Sequence, residues 1–312
     1  MAITRPNLVN GATARQNYAK GVKLLKNEFT GPKTSDFGIP GPPVAVSTYD
    51  LFVVWHHVAM MTLTPPTQMA RNSAHGGPVF LPWHRFLLLQ MEMNLQRVLG
   101  DNNFGIPYWD WAADGQLTTA KQKTAAIWKP DAMGGQGSPI ANGPFTQDQF
   151  RVKIESNSNN QLVQTDHGLR RAFGVSGAAG LPKRANTAVA LNQTDYDLTP
   201  WDSTSNGFRN FVEGWNPPLG MHNRVHVWIG GDMLLSTSPN DPVFYMNHCN
   251  EDRIWEAWLT KNGRTYVPDQ AAPASLKGHR IDDQIKAFIS GSTTPRQMLD
   301  VSSIYVYESL TV

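Results

Sequence analysis

Apolar residues recur at helical spacing in several stretches of the chain, and a breaker closes most of them. Tyr18, Val22, Leu25 and Phe29 stand three or four apart, which predicts a first helix over residues 12–28, stopped by Gly31-Pro32. A breaker-rich loop runs from Gly38 to Pro43. Ser47 can accept a free backbone N–H, so it predicts the N-cap of a second helix, Thr48 to about Met61. A loop rich in Pro, Asn and Gly covers Thr64 to Gly77. Proline is tolerated in a first helical turn, so Pro82 fits the start of a third helix that continues from Trp83 to Leu99. Phe104 to Trp111 is apolar and aromatic, as a core segment is. From Gly115 to about Pro200 the pattern fades into long loops with a few short elements, and so long an irregular stretch tends to be functional or mobile. Helical spacing returns over Trp201 to Trp215, around Gly220 to Gly231, and from Asp241-Pro242 to about Leu259. Ile304 to Tyr307 alternates like a short strand. The pattern predicts a mainly α fold, an antiparallel helical bundle core with long loops and a few short strands, in one domain over residues 1–312.

Composition narrows the function classes. The net charge is only +2 and no block of like charges occurs, so nucleic-acid or anionic-membrane binding has no electrostatic basis. A single cysteine, Cys249, excludes an internal disulfide framework and a Cys-rich zinc module, and its expected place is a small buried apolar position. Residues 1–16 carry no apolar signal segment, and no run approaches the ~18 apolar residues of a membrane span. The expectation is a soluble cytoplasmic protein, with export by a separate carrier protein left open.

Six of the nine histidines fall into two sets of three: His56, His75 and His84, then His222, His226 and His248. Neutral imidazole binds copper, zinc, iron and nickel well. His222 and His226 are four apart, so a helix presents both on one face to one ion, although such pairs also arise by chance. The zinc-protease version needs Glu after the first His, and Asn223 stands there instead. Asp252 lies one turn beyond His248, where a carboxylate can accept the second ring N–H of a ligating imidazole; a surface pair with Arg253 is the alternative. His56 alone reads as a core histidine and His75 as a loop residue, so the first set rests on its surroundings. Two such sets suit a metal pair and dioxygen chemistry more than hydrolysis.

Those surroundings resemble the tyrosinase family of type-3 dicopper proteins. Tyr49 to His56, His75, and Phe80-Leu81-Pro82-Trp83-His84-Arg85 are similar to the family's copper-A segments, which selects His56 over His57. Pro107 to Trp111 resembles its aromatic core segment. His222-Asn223-Arg224-Val225-His226 and Asp241 to Phe244, followed by His248 and Asp252-Arg253, resemble copper B. Tyr305-Val306-Tyr307 resembles the tyrosine motif that closes the catalytic core.

The resemblance implies two copper ions held by the six histidines, with O2 and a phenolic small molecule as substrates. Ortho-hydroxylation of monophenols and oxidation of o-diphenols to o-quinones would follow. Glu213 and Asn223 stand where the family holds a water that takes the phenol proton. Phe244 would pack on ligand imidazoles. Val227, Leu235 and Ser236 would line the substrate rim, and Arg85 and Arg224 would be structural ion-pair partners. Ser73 replaces the cysteine that forms a thioether in fungal and molluscan members, so no crosslink is expected, and no lid domain is expected after the tyrosine motif. A catechol or o-aminophenol oxidase with little phenol hydroxylation is the nearer rival; a haemocyanin-like oxygen carrier and a zinc hydrolase are remoter.

Overall fold

The computed structural model describes residues 2–287 and 291–312. Among them are nine α-helices: α1 (Ala12–Lys26), α2 (Thr48–Met61), α3 (Phe80–Leu99), α4 (Trp111–Asp114), α5 (Thr119–Gln122), α6 (Arg184–Leu191), α7 (Phe208–Glu213), α8 (Met221–Ile229) and α9 (Val243–Asn262). The short strands are β1 (Ile3–Arg5), β2 (Phe29–Lys33), β3 (Ala45–Ser47), β4 (Arg151–Ser156), β5 (Leu162–Gly168), β6 (Ile285–Lys286), β7 (Ser292–Thr293) and β8 (Tyr305–Tyr307). The fold is mainly α, as the pattern predicts. α3 packs against α1 and α9, α2 against α1, and α8 against α7 and α9, which forms a helical bundle.

Local chemistry sets the helix ends. The Ser47 hydroxyl accepts the Asp50 N–H at 3.1 Å and starts α2 at the expected residue. α3 begins at Phe80, three residues before Trp83, so Pro82 lies inside the first turn, where its missing N–H has no helical partner to lose. Gly100 ends α3 at a φ of 67°, a left-handed cap that side chains disfavour. The predicted helix over Trp201 to Trp215 shrinks to Phe208–Glu213. Upstream, the Asp202 carboxylate accepts the Thr204 N–H at 2.8 Å and folds a local turn, and Gly207 takes a φ of 123° that no helix contains.

One continuous apolar cluster fills the bundle, from Leu8 to Tyr307, and buries Trp109, Trp111, Trp228, Trp255 and Trp258. Phe104, Ile106, Tyr108, Trp109 and Trp111 lie in it, as the aromatic segment predicts. The stretch read as loops holds a hairpin of β4 and β5, antiparallel, with the Ser156–Asn160 run at its turn. Ile154 and Leu162 of this hairpin pack with Val46 and with Leu51 and Val54 of α2 in a second small cluster. β1 and β8 pair in parallel, so both ends of the chain meet on the flank of the bundle. Arg5 on β1 bonds Glu92 on α3 at 2.9 Å and Asp252 on α9 at 3.2 Å, and Asp252 accepts from Tyr305 and Tyr307 at 2.5 Å each. No helix among the described residues is long and apolar enough to cross a membrane.

Candidate metal centre

Three elements supply the first set of imidazoles: α2 brings His56, the loop before α3 brings His75, and α3 brings His84. Their ligand-type atoms lie within 4.8 Å of one another. α8 and α9 supply His222, His226 and His248, whose atoms meet the same limit. The two sets face each other. The His84 and His248 rings stack at 4.1 Å, tilted by only 2°, and the His75 and His222 rings lie 5.8 Å apart. His57, next to His56, points away and pairs through Nδ1 with the Ser236 hydroxyl at 2.7 Å.

The hydrogen bonds show which nitrogen each ring offers. His56 Nδ1 meets the Ser236 carbonyl at 2.7 Å, His84 Nδ1 the Phe80 carbonyl at 2.8 Å and His226 Nδ1 the Met233 carbonyl at 2.8 Å. His222 Nδ1 stands 3.0 Å from Asn223 Oδ1 and 3.3 Å from the Glu213 carbonyl. A carbonyl can only accept, so Nδ1 carries the proton and Nε2 keeps its lone pair. In all five rings other than His75, Nε2 is buried without a hydrogen-bond partner. Orphaned buried acceptors are costly, and a cation resolves them. In His75 it is Nδ1 that is buried and unpartnered.

Burial pushes all six imidazoles below their ordinary pKa, His56 to about 3 and His226 to about 4. For His56, His75, His84, His222 and His248, neighbouring imidazoles push the same way, because two adjacent cations repel. The rings are therefore neutral at neutral pH, the state in which imidazole binds a metal. The donor set, six neutral nitrogens in two open triads, fits a pair of copper ions.

Phenylalanines close the space on two sides. Phe244 lies 4.2 Å from the His248 ring and 5.0 Å from His56, as the resemblance implies. Phe80 sits 4.7 Å from His84 and 5.0 Å from His222 and so touches both sets.

Glu213 ties the two triads together. Its backbone carbonyl faces His222, while its carboxylate accepts from the Gly76 N–H at 2.7 Å, beside His75, and pairs with Arg209 at 2.9 Å. Burial raises its pKa against the pull of Arg209. Asn223 is half-buried and uses Oδ1 on His222.

Three expected roles change. Asp252 does not orient His248: its oxygens are taken by Arg5, Arg85, Tyr305 and Tyr307. Glu251 stands nearest that place, with Oε2 2.8 Å from His248 Nδ1 but at an angle that makes no hydrogen bond. Residues three and four apart on a helix are both neighbours, and Arg5 of β1 and Arg85 of α3 claim the fourth. Ser236 does not line a rim; it is buried, its carbonyl on His56 and its hydroxyl on His57. Arg85 pairs with Asp252 and Glu256 as expected, but Arg224 donates to the Leu219 carbonyl at 2.7 Å and meets no carboxylate among the described residues. Val227 and Leu235 are half-buried on the segment that carries and follows His226. Cys249 is buried and burial raises its thiol pKa. Ser73 bonds the Thr62 carbonyl. Sequence reasoning missed Glu251, and it could not see the carbonyls of Ser236, Phe80 and Met233, which any residue type supplies.

A third group, Glu155, His167 and Asp232, also brings ligand-type atoms together. Arg170 already spans both its carboxylates, at 2.7 and 2.6 Å, so the group is an ion-pair lock between the hairpin and the turn after α8.

The comparisons agree with this geometry. Residues 46–261 match the common central domain of tyrosinase. A tyrosinase of Streptomyces glaucescens is 36% identical over 266 residues, 84% of this chain and 89% of that protein. A tyrosinase of Streptomyces lincolnensis is 36% identical over 299 residues, 95% of this chain and 99% of that protein. A polyphenol oxidase from Thermothelomyces thermophila shares the fold at 22% identity, with a TM-score of 0.73 over 98% of this chain and 88% of that one. That family uses a dinuclear copper centre, and with both histidine triads in place and the domain match spanning all six, the chain belongs to the tyrosinase family.

Proposed function

We propose that the protein hydroxylates monophenols at the ortho position and oxidises o-diphenols to o-quinones, with one copper ion in each histidine triad and O2 as oxidant. One monophenol and one O2 give one o-quinone and one water. The observation that carries the reading is the pair of facing triads with buried nitrogens that no protein group satisfies. The copper pair, when bound, supplies the redox chemistry that activates O2. The chain supplies the rest: carbonyls that fix the rings, Phe80 and Phe244 that exclude water, and half-buried Val227 and Leu235 that suit a neutral aromatic ring.

A phenol of pKa ~10 must lose its proton to react at neutral pH. Glu213, raised by burial, and the side chain of Asn223 are the groups that can hold an accepting water for that proton. One observation favours a second reading, a catechol or o-aminophenol oxidase with little hydroxylation: Arg209 and Gly76 already engage the Glu213 carboxylate. Rates on a monophenol and its matching catechol, measured on copper-loaded protein primed with a reductant, separate the two. Hydroxylation supports the first; catechol turnover alone selects the second. Glu213→Gln should slow the monophenol more than the catechol, and equal losses would remove its assigned role. A copper-delivery protein fits the burial of the triads, since both sets lie beneath packed aromatic rings.

A further inference from the structure

His75 is the least tethered of the six imidazoles. It comes from a loop, and no protein group stands at its buried Nδ1, whereas four of the other rings are hydrogen-bonded at Nδ1 and His248, fixed on α9, has the Glu251 carboxyl 2.8 Å from its Nδ1. Its position therefore depends on the backbone of residues 62–79. Asn72 Oδ1 holds the Ala74 and His75 N–H groups at 3.0 and 2.7 Å, and Glu213 holds Gly76. The far side of the loop rests on residues that follow α9, outside the matched domain of residues 46–261.

His279 is the centre of that contact. It is fully buried, and the chemistry described so far does not use it. Its Nε2 meets the Thr64 hydroxyl at 2.7 Å, and its Nδ1 faces the Val79 N–H at 3.5 Å. An N–H can only donate, so Nδ1 is the acceptor and Nε2 carries the proton. The two contacts span the loop from its first residues to its last. The backbone of His279 is itself held: its carbonyl accepts from the Tyr266 hydroxyl at 2.7 Å and its N–H donates to Leu276 at 2.9 Å. Arg71, also buried, reaches out of the loop to the carbonyls of Pro200, Trp201 and Ser275 at 3.2, 3.0 and 2.8 Å. Gly77 is wedged between the two: a methyl there would stand 2.7 Å from Arg71 Cδ and 2.9 Å from His279 Nδ1.

We propose that His279 is a positioning residue for the first triad: with Arg71 it clasps the loop that presents His75, so that a segment beyond the bundle sets the weakest-held ligand. The inference rests on the dicopper reading, and copper(II) itself is the probe. The test compares His279→Ala in two backgrounds. In His248→Ala protein the first triad is the intact one; in His84→Ala protein the second is. Copper retained against a competing chelator, and the copper(II) spin-resonance spectrum, are read in each. Residues that hold ligands in place are worth about 10–100-fold in metal affinity. The expected result is a loss of about tenfold or more in the His248→Ala background, with a changed spectrum, and no change in the His84→Ala background.

A role in general stability would weaken both backgrounds alike, and that outcome, or no loss in either, overturns the proposal. Thr64→Val removes one hydroxyl contact and leaves the core packed. It should give a smaller loss confined to the first triad, and it decides the matter if His279→Ala does not fold. Wild-type protein that takes up no copper would defeat the dicopper reading; wild-type uptake of two ions with no selective loss would defeat the clasp alone.

Discussion

Replacing Asp252 with Asn should destabilise the whole protein and leave the metal site intact. The carboxylate meets Arg85 Nε at 2.5 Å, Arg5 Nη1 at 3.2 Å and two tyrosine hydroxyls at 2.5 Å, all of them buried. Asn keeps the shape but removes the charge, leaving two buried guanidiniums with less compensation. Glu92 still faces Arg5 and Glu256 still faces Arg85, so both cations keep one partner. Breaking a buried pair typically costs about 3–5 kcal/mol. At about 2.1 cal/mol/K of unfolding entropy per residue, 312 residues carry about 0.66 kcal/mol/K, so Tm should fall by about 5–8 °C. The guanidiniums also hold the Asp252 pKa below the ordinary carboxylate range, with desolvation opposing them. A depressed folded pKa stabilises above the unfolded value and loses that contribution as pH falls through the folded one. Wild-type protein should show that acid-side loss, and Asp252→Asn should lack its share. The assay is thermal unfolding of apo and copper-loaded protein from neutral to acid pH, with copper counted per folded chain. An unchanged Tm with one copper missing would refute the reasoning and restore Asp252 as the group that orients His248.

Glu251→Ala should do the reverse: it removes the buried carboxyl 2.8 Å from His248 Nδ1 and should weaken copper in the second triad by about 10–100-fold, read by chelator competition. Ser236→Ala keeps the carbonyl that holds His56 and loses only the hydroxyl at His57, so stability should fall by about 1 kcal/mol and the ranking of phenolic substrates should not move. Apoprotein stability should fall with acid, because His56, His226 and His279, with folded pKa near 3, 4 and 3, stay neutral while the unfolded chain takes up protons from about pH 6.5 downward. Melting curves of apoprotein from neutral pH toward pH 4 check this, and a flat profile contradicts it.

The helices that carry ligands were legible because burial on one or more faces imposed a period, and because Ser47 marks the start of α2 by side-chain chemistry. Of the six histidines, only His222 and His226 were legible from helical spacing, on α8; His56, His84 and His248 on helices and His75 in a loop were placed by the motifs around them. The hairpin of β4 and β5 was not. Val152 and Ile154 alternate inward, but β5 carries Gln164, Thr165, Asp166 and His167, so only one strand shows the period. α6 is short, mixes Arg184, Asn186 and Thr187 with Ala, Val and Leu, and buries only Thr187 and Ala190, too little to stand out among loops. The choice between Glu251 and Asp252 lay beyond sequence spacing, because both are within a turn of His248; Arg5 and Arg85 decided it from 247 and 167 residues away. Glu213 was placed by resemblance, but its bond to Gly76, 137 residues distant, has no local signature.

The most direct measurement is anomalous diffraction at the copper edge from crystals of the native, copper-loaded protein. The account predicts two peaks, one inside His56, His75 and His84 and one inside His222, His226 and His248, facing across the stacked His84 and His248 rings. A single peak, a signal at the zinc edge instead, or density away from these nitrogens would contradict it.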